Sequence, residues 1–342
     1  MRVVLAARPE GTPSLSDFAT EEAPVRMPSS GEVLLRTIYL SLDPYQRGRM
    51  GSSASHSTST GLVALGEVMT GGTVAEVVAS EDPALARGDL VTAQSGWQQY
   101  AVVQGSEARR VDPMRAPIST ALGVLGMPGL TGYSGLLEIG KPRPGETVVV
   151  AAAAGAVGSL VGQISRIKGA RVVGIAGGDR KTSWLRDAGF DVVLDHRSSE
   201  FDEQLRAAVP DGIDVYFENV GGRVWTAVEP LLNRGARVPL CGVASAYSAR
   251  VADSTGDVTA LMSGLLTRSI TLRGFVFHDF EHLRPRFEQD VAGWLRSGEV
   301  IYHEEIVGGL EQAPSAFIDM LAGRHLGKML VQVGEEPVPG TA

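Results

Sequence analysis

The sequence contains a single cysteine, Cys241, among its 342 residues. One thiol excludes an internal disulfide framework, and it excludes both a Cys₂His catalytic zinc site and a four-cysteine structural zinc lobe. Basic residues are in deficit, with 31 Lys and Arg against 39 Asp and Glu and a formal net charge of −8. Because nucleic-acid-binding surfaces neutralise phosphates with cations, this balance argues against a nucleic acid partner.

Long apolar runs are also missing. The longest, residues 148–162, is interrupted by Ser159 and by glycines, and it is shorter than the roughly 20 residues that a bilayer span needs. The apolar run at residues 3–7 is too short for the core of a signal peptide. We therefore predict no membrane partner and a cytoplasmic location.

Two patterns of secondary structure follow each other along the chain. Short β-branched runs between turn residues, at 32–38, 72–78, 89–93 and 99–103, predict an all-β barrel or sandwich. They are interrupted by a Ser/Thr/Gly-rich segment, residues 51–61, which predicts a loop. From residue 145 onward, apolar strands alternate with helical patterns, which predicts a doubly wound parallel sheet. The predicted strands of that sheet are residues 147–152, 171–176, 191–195, 214–218 and 236–241, and the helix predicted before the last of them is residues 224–232. The tail, residues 303–333, contains a predicted helix at 313–322 and a closing strand at 328–333.

A glycine motif follows the first of these apolar strands. Residues Ala153-Ala154-Gly155-Ala156-Val157-Gly158 match G-x-G-x-x-G with alanine in the first place. At a strand-to-helix turn, Gly155 would let the backbone approach a pyrophosphate, and Gly158 would allow close packing of helix and strand. The phosphates would then lie at the helix N-terminus. The alternative is that these small residues serve packing only.

The end of the second strand indicates which dinucleotide is bound. An NAD enzyme carries Asp or Glu there to bind the ribose 2′-hydroxyl, whereas this sequence has Gly177-Gly178 followed by Arg180 and Lys181. The strand end itself has no carboxylate, and two cations follow just beyond it, after Asp179. This favours a 2′-phosphate, so we predict NADPH. The alternative is a solvated helix start.

Several longer motifs carry a family resemblance. The chain resembles the zinc-independent medium-chain dehydrogenase/reductase superfamily, in the branch of prostaglandin reductases, plant alkenal double-bond reductases and bacterial curcumin reductases. The motifs are Ser41-Leu42-Asp43-Pro44-Tyr45-Gln46-Arg47-Gly48-Arg49-Met50, Gly126-Met127-Pro128-Gly129-Leu130-Thr131-Gly132-Tyr133, Tyr216-Phe217-Glu218-Asn219-Val220-Gly221-Gly222 and Cys241-Gly242-Val243-Ala244-Ser245-Ala246-Tyr247.

The resemblance implies an α/β protein with a GroES-like β-barrel domain and a Rossmann doubly wound parallel-sheet domain. The expected boundaries are residues 1–125 for the GroES-like catalytic domain, 126–305 for the NADPH-binding domain and 306–342 for a C-terminal return to the catalytic domain. A homodimer joined at the edges of the Rossmann sheets is also expected, with residues 268–273 as a candidate edge.

The resemblance also implies the site residues. Lys181 and His196 would bind the 2′-phosphate, Asn219 would face the cofactor ribose, and Tyr45 and His56 would contact a small-molecule substrate. His325 stands where the family usually has a cofactor-contacting Asn. The full expected cofactor set is Gly155, Ala156, Val157, Gly158, Lys181, His196, Asn219, Cys241, Gly242, Tyr247, Phe275, Val276, Phe277 and His325.

The family reaction is the NADPH-dependent reduction of the carbon–carbon double bond of α,β-unsaturated aldehydes and ketones, without a metal. Hydride addition to the β-carbon gathers charge on the carbonyl oxygen, so a hydrogen-bond donor is needed there. We predict Tyr247 as this donor and Tyr45 as the second candidate. Without the resemblance, a packed core aromatic would be the better reading of either tyrosine. The alternative functions are a quinone reductase of the same fold and a non-catalytic NADPH-binding sensor.

Overall fold

The computed structural model describes residues 1–51, 61–247 and 258–337, which belong to two compact units. The first unit comprises Met1–Leu122 together with the C-terminal residues from Glu304, and the second comprises Gly123–His303. The elements of the first unit are β1 (Arg2–Leu5), β2 (Phe18–Glu21), β3 (Glu32–Ser41), α1 (Tyr45–Arg49), β4 (Thr73–Ser80), β5 (Leu90–Ala93), β6 (Tyr100–Gln104), β7 (Arg109–Arg110), β14 (Glu304–Gly308), α9 (Ala313–Leu321) and β15 (Lys328–Gln332). Those of the second are α2 (Met127–Ser134), β8 (Thr147–Val150), α3 (Gly158–Ile167), β9 (Arg171–Ala176), α4 (Asp179–Asp187), β10 (Val192–Asp195), α5 (Phe201–Ala208), β11 (Ile213–Phe217), α6 (Gly222–Val228), β12 (Leu232–Leu240), α7 (Val258–Arg268), β13 (Thr271–Gly274) and α8 (Arg284–Ser297).

The first unit is built on a mixed sheet in the order β14-β15-β3-β4-β5-β7, in which β6 also pairs with β3. The long strand β3 is buried along most of its length and has two register shifts against β4. It pairs with three neighbours, β4, β6 and β15. The strand β15, from the C-terminal part of the chain, pairs with β3 near Ser41. It thereby joins a sheet whose other strands include β3 to β7 of the N-terminal part. The core beside it is aromatic, with Trp97 stacked on Phe18 and edge-on to Phe317.

The second unit contains a six-stranded parallel sheet in the order β10-β9-β8-β11-β12-β13. All four residues of β8 are buried, as a strand covered by helices on both faces requires. The strand order reverses between β8 and β11, and ligands of doubly wound sheets bind in the crevice at the carboxyl ends of such a strand pair. The predicted α/β class, with a β-rich unit and a Rossmann unit, is confirmed.

One sequence prediction differs from the structure in detail, and another cannot be compared with it. Residues 268–273 are not one strand, because Arg268 ends helix α7 and β13 begins only at Thr271. That short strand is nevertheless the last of the described sheet order, so its free edge is where the predicted homodimer would form. The homodimer stays a prediction. Most of the predicted loop at 51–61, including His56, lies outside the described residues.

Helices in the described part of the chain are too short or too polar to cross a bilayer.

Candidate active site

The glycine motif forms the turn between β8 and α3. Helix α3 begins at Gly158, and the Ser159 backbone N–H donates to the Gly155 carbonyl at 3.0 Å. The turn passes through Ala152 at a φ of +47°, a left-handed conformation that is uncommon for alanine. The first-turn N–H groups of α3 therefore point toward the carboxyl edge of the sheet, where the helix dipole favours an anion.

The two motif glycines have different steric surroundings. A Cβ on Gly158 would lie 2.5 Å from the Ala152 carbonyl oxygen, whereas one on Gly155 would lie 3.3 Å from the same atom. Gly158 is therefore required by the packing of the helix start on the strand end. Packing constrains Gly155 less than Gly158, and the approach of its backbone to a pyrophosphate stays a prediction.

Asn219 joins the two strands at the point where the strand order reverses. Its Nδ2 donates to the Ala151 carbonyl at 2.7 Å, and the Ala151 N–H donates to Phe217 at 3.1 Å. The end of β8 and the end of β11 are thereby held together at the crevice. Asn219 is half-buried there, in keeping with the predicted contact to a bound dinucleotide.

Glu218, next to Asn219, shapes the same loop. One carboxylate oxygen accepts the backbone N–H groups of Val220 and Gly221 at 2.6 and 2.9 Å, and the other accepts the Tyr216 hydroxyl at 3.1 Å. The side chain is 1% exposed, and burial raises its pKa above the ordinary value despite these hydrogen bonds. Glu218 therefore fixes the backbone of residues 218–221.

This raised pKa predicts a pH-dependent stability. The folded state binds the Glu218 proton more tightly than the unfolded state, so the contribution of Glu218 is most favourable at low pH and is lost as pH rises through the folded pKa. The amide oxygen of Glu218→Gln can accept the same two N–H groups. We expect the variant to gain stability relative to the wild type as pH rises from 5 to 8, as measured by urea denaturation.

Glu146→Gln is the matched control in the same unit. Burial raises the pKa of Glu146, but hydrogen bonds from Arg237 and the Arg143 backbone outweigh it, and the net pKa is lowered. Glu146→Gln should therefore destabilise the protein at pH 7, and this loss of stability should disappear at low pH, where the wild-type carboxyl is protonated. A Glu218→Gln difference that does not change with pH would contradict the raised pKa.

The predicted 2′-phosphate residues meet at the end of β9. Lys181 lies in the first turn of α4, and His196 directly follows β10, where its N–H donates to the Ala176 carbonyl at 3.0 Å. The His196 imidazole approaches Gly177, since a Cβ at that glycine would lie 2.8 Å from its Nε2. Gly177 stands where an NAD enzyme carries Asp or Glu, and its lack of a side chain leaves room for the His196 imidazole.

Tyr247 lies on the other side of the crevice, in the segment after β12. Its hydroxyl lies 3.7 Å from the position of a Cβ on Gly242, and that same position is 3.2 Å from the Asn219 carbonyl. Burial, and to a smaller extent Cys241, raise the pKa of Tyr247, and a hydrogen bond from the Val243 backbone only partly offsets this. The phenol is therefore neutral and able to donate at pH 7.

Cys241 is half-buried beside this tyrosine. Burial and the neighbouring Glu218 raise the pKa of its thiol to about 12. A thiol in this state is not a nucleophile at neutral pH, because the thiolate is the reactive form. Cys241 therefore acts as a small apolar wall next to Gly242.

The segment after β13 contributes aromatic packing. The Phe275 ring contacts Phe217 edge-on at 6.4 Å and leaves no space for a side chain on Gly135. Val276 is exposed, and the Phe277 ring lies 3.8 Å from that of His278. Phe275 is thus half-buried and packs on Phe217, and the predicted cofactor contacts of all three residues stay predictions.

Two of the remaining predicted residues belong to the first unit. Tyr45 begins helix α1 and is half-buried. Burial and Asp43 raise the pKa of its hydroxyl, and hydrogen bonds with Gln46 and Thr70 lower it. His325 is half-buried and precedes β15. His56 lies outside the described residues. Their predicted roles stay predictions.

Sequence reasoning missed three charged side chains at the crevice. Arg197 lies against Gly177, the Arg223 guanidinium donates to the His196 carbonyl at 3.2 Å, and Glu218 holds the Asn219 loop. Arg197 adjoins His196 in the sequence, which is a usable signal. Arg223 is 27 residues away, and its contact follows only from the fold.

No cluster of possible metal-binding side chains occurs in the part of the chain that the structure describes. Residues 1–51, 61–247 and 258–337 contain no group of three His, Cys, Asp or Glu side chains that could hold a metal ion.

Comparison with known proteins places the chain in a family. A family described as the N-terminal domain of oxidoreductase matches residues 1–111, and one described as zinc-binding dehydrogenase matches residues 156–295. The chain is 48% identical to an NADPH-dependent curcumin reductase of Escherichia coli, over 97% of this chain and 96% of the relative. It is 35% identical to a 2-alkenal reductase (NADP⁺-dependent) of Nicotiana tabacum, over 98% of both chains.

A solved structure is similar over the same length. The crystal structure of CurA from Vibrio vulnificus in complex with NADPH is 47% identical, covers 98% of this chain and 99% of its own, and superposes with a TM-score of 0.93. The predicted family is thereby confirmed. The chain belongs to the medium-chain dehydrogenase/reductase superfamily, in its zinc-independent branch of curcumin, prostaglandin and alkenal reductases, and is an oxidoreductase.

Proposed function

We propose that this protein is an NADPH-dependent ene-reductase that reduces the carbon–carbon double bond of α,β-unsaturated ketones or aldehydes to give the saturated carbonyl compound. The observation that carries the proposal is the Tyr247 hydroxyl, which is neutral at pH 7 and lies beside Gly242 and Asn219 at the dinucleotide crevice. The alkene specificity is supported by two relatives, an NADPH-dependent curcumin reductase and a 2-alkenal reductase, which this chain matches over nearly their full length.

The cofactor is NADPH, as the sequence predicts. The relative from E. coli is NADPH-dependent, and the similar CurA structure was solved with NADPH bound. In this chain the residues around the crevice fit the cofactor. The open backbone at Gly155 suits a pyrophosphate, and Gly177 leaves room for groups that bind a 2′-phosphate.

The residues have separate roles in the proposed reaction. When bound, NADPH would supply the hydride that adds to the β-carbon of the conjugated carbonyl, and a proton taken up from solvent at the α-carbon would complete the saturated product. Tyr247 donates a hydrogen bond to the carbonyl oxygen as negative charge develops there, and a donor already aimed at that oxygen needs no reorganisation. Asn219 orients the ribose side of the cofactor, and Tyr45 is the second donor or a wall of the substrate site.

The proposal is tested with purified protein, NADPH and a panel of enones, enals and one quinone. NADPH consumption is followed by absorbance, and products are identified by mass spectrometry and NMR. We expect NADPH consumption with formation of the saturated ketone or aldehyde. Omission of the substrate is the control for NADPH oxidation by oxygen.

Other products would overturn the proposal in distinct ways. An allylic alcohol would show carbonyl reduction, with Tyr247 as a proton donor to that carbonyl. Turnover of the quinone alone would show a quinone reductase. NADPH binding without turnover of any compound would favour a sensor.

A further inference from the structure

The His196 imidazole and three basic side chains lie close together near Gly177, at the end of β9. His196 and Arg197 follow β10, Lys181 lies in the first turn of α4, and Arg223 lies in α6. A Cβ on Gly177 would lie 2.7 Å from Arg197 Nε and 2.8 Å from His196 Nε2. A side chain at this position would have to displace the Arg197 guanidinium and the His196 imidazole, which occupy the space beside the Gly177 backbone.

Two carboxylates, those of Asp195 and Asp202, lie next to this cluster. Asp195 accepts the Gly178 N–H at 2.9 Å and the Arg197 N–H at 2.8 Å, so its carboxylate is held by the backbone. Burial raises the pKa of Asp195, but those hydrogen bonds outweigh it and the pKa is lowered. The Asp202 carboxylate lies 3.8 Å from the Arg223 guanidinium.

We infer that Arg197 is a specificity-determining residue that binds the 2′-phosphate of NADPH together with His196, and that His196 takes up a proton when this phosphate binds. The inference rests on the proposed function for its cofactor, and it concerns which side chains discriminate NADPH from NADH. Arg197 can place two N–H groups on a phosphate, whereas an imidazolium places one.

The electrostatics of His196 give the direction of the proton uptake. In the free protein, burial lowers the pKa of His196, and Arg197, Lys181 and Arg223 lower it further, while Asp195 raises it. The imidazole is therefore neutral at pH 7. A phosphate dianion at the same place favours the charged form, so binding raises the pKa of His196 and a proton enters from solvent.

The sign of the pH dependence follows from this linkage. Proton uptake on binding means that affinity for NADPH falls as pH rises between the pKa of His196 in the free protein and its pKa in the complex. NADH lacks the phosphate, so its affinity should not change in this way. The second ionisation of the phosphate, with a pKa of about 6, would release a proton and has the opposite sign.

The test measures binding directly on the full chain. Dissociation constants for NADPH and NADH are measured by fluorescence titration from pH 6.5 to 8.5. Proton uptake is measured at pH 7 by calorimetry in buffers with different ionisation enthalpies. The variants are Arg197→Gln and His196→Gln, with Arg186→Gln as the control, because Arg186 is an exposed cation in the last turn of α4.

Two results are expected. Arg197→Gln weakens NADPH binding about 10- to 100-fold, in line with the loss of hydrogen bonds to a charged group, and leaves NADH binding unchanged. His196→Gln removes the proton uptake and flattens the pH dependence for NADPH, whereas Arg186→Gln behaves as the wild type.

The inference is overturned if Arg197→Gln weakens the binding of NADPH and of NADH equally, because this would show that Arg197 has a structural role. It is also overturned if the wild type binds NADPH without proton uptake. A failure of the proposed function is seen separately, in the product assay, because binding of both cofactors is measured without substrate.

Discussion

Tyr247→Phe should lower kcat for enone reduction by about 10²- to 10³-fold, the loss that follows removal of one donor from a developing oxyanion. The variant keeps the ring next to Gly242 and removes only the hydroxyl. Because the Tyr247 pKa is raised, the hydroxyl is protonated over the whole range from pH 6 to 9, and the wild-type rate should show no ionisation of this group there. Steady-state kinetics with one enone across this range is the measurement.

Binding measurements separate this role from a structural one. The dissociation constant for NADPH should stay within about twofold of the wild-type value, since Tyr247 is not proposed to hold the phosphates. Tyr45→Phe is the matched variant, because burial also raises the pKa of Tyr45 and it is the second candidate donor. A larger loss in Tyr45→Phe than in Tyr247→Phe would reverse the two assignments, and unchanged turnover in Tyr247→Phe would remove its role as donor.

The Rossmann unit could be predicted from local sequence because its strands are short apolar runs bounded by glycine and polar residues. Strand β9 begins and ends where the sequence predicts it, at Arg171 and Ala176. The turn at Gly155 and Gly158 follows its strand for the same reason, since the motif itself dictates a strand, a tight turn and a helix start.

Strand β12 shows where local patterns fail. The sequence predicts a helix at residues 224–232 and a strand at 236–241, whereas α6 ends at Val228 and β12 extends from Leu232 to Leu240. Pro230 lies in a short 3₁₀ turn after α6, where its missing N–H ends the helix. The strand then includes Asn233, Arg234 and Gly235, and its register against β11 shifts along this stretch. The sequence pattern does not predict that shift.

The candidate site was predicted only in part for a related reason. Gly155, Lys181 and His196 stand in recognisable motifs, so a resemblance identifies them. The charge around His196 instead depends on Arg223 from α6, and the crevice wall depends on the carboxylate of Glu218, which binds backbone N–H groups. These contacts join elements that are distant in the chain, and no spacing rule relates them.

Lys328→Met should destabilise the first unit by about 3–5 kcal/mol, the cost of leaving one partner of a buried ion pair uncompensated. The Lys328 ammonium is buried, lies 3.0 Å from an Asp43 carboxylate oxygen and donates to the Leu42 carbonyl at 2.6 Å. The other Asp43 oxygen accepts the Ser41 hydroxyl. Without the ammonium, the buried Asp43 carboxylate would lose its ion-pair partner. Urea denaturation gives the free energy, and hydrogen exchange by mass spectrometry assigns the loss to peptides of β3 and β15.

Two control variants make this prediction specific to the buried charge. The double variant Lys328→Met, Asp43→Asn should recover part of the loss, because a neutral amide can still accept the Ser41 hydroxyl and leaves no buried charge. Arg324→Met removes an exposed pair with Asp319, whose side chains are 62% and 52% exposed, and should cost less than about 1 kcal/mol. Equal losses in Arg324→Met and Lys328→Met would show that burial does not set the strength of the Lys328 pair. Asp43 lies two residues before Tyr45, so a buried pair that joins β15 to this segment fixes the start of α1 and with it the position of the second candidate donor.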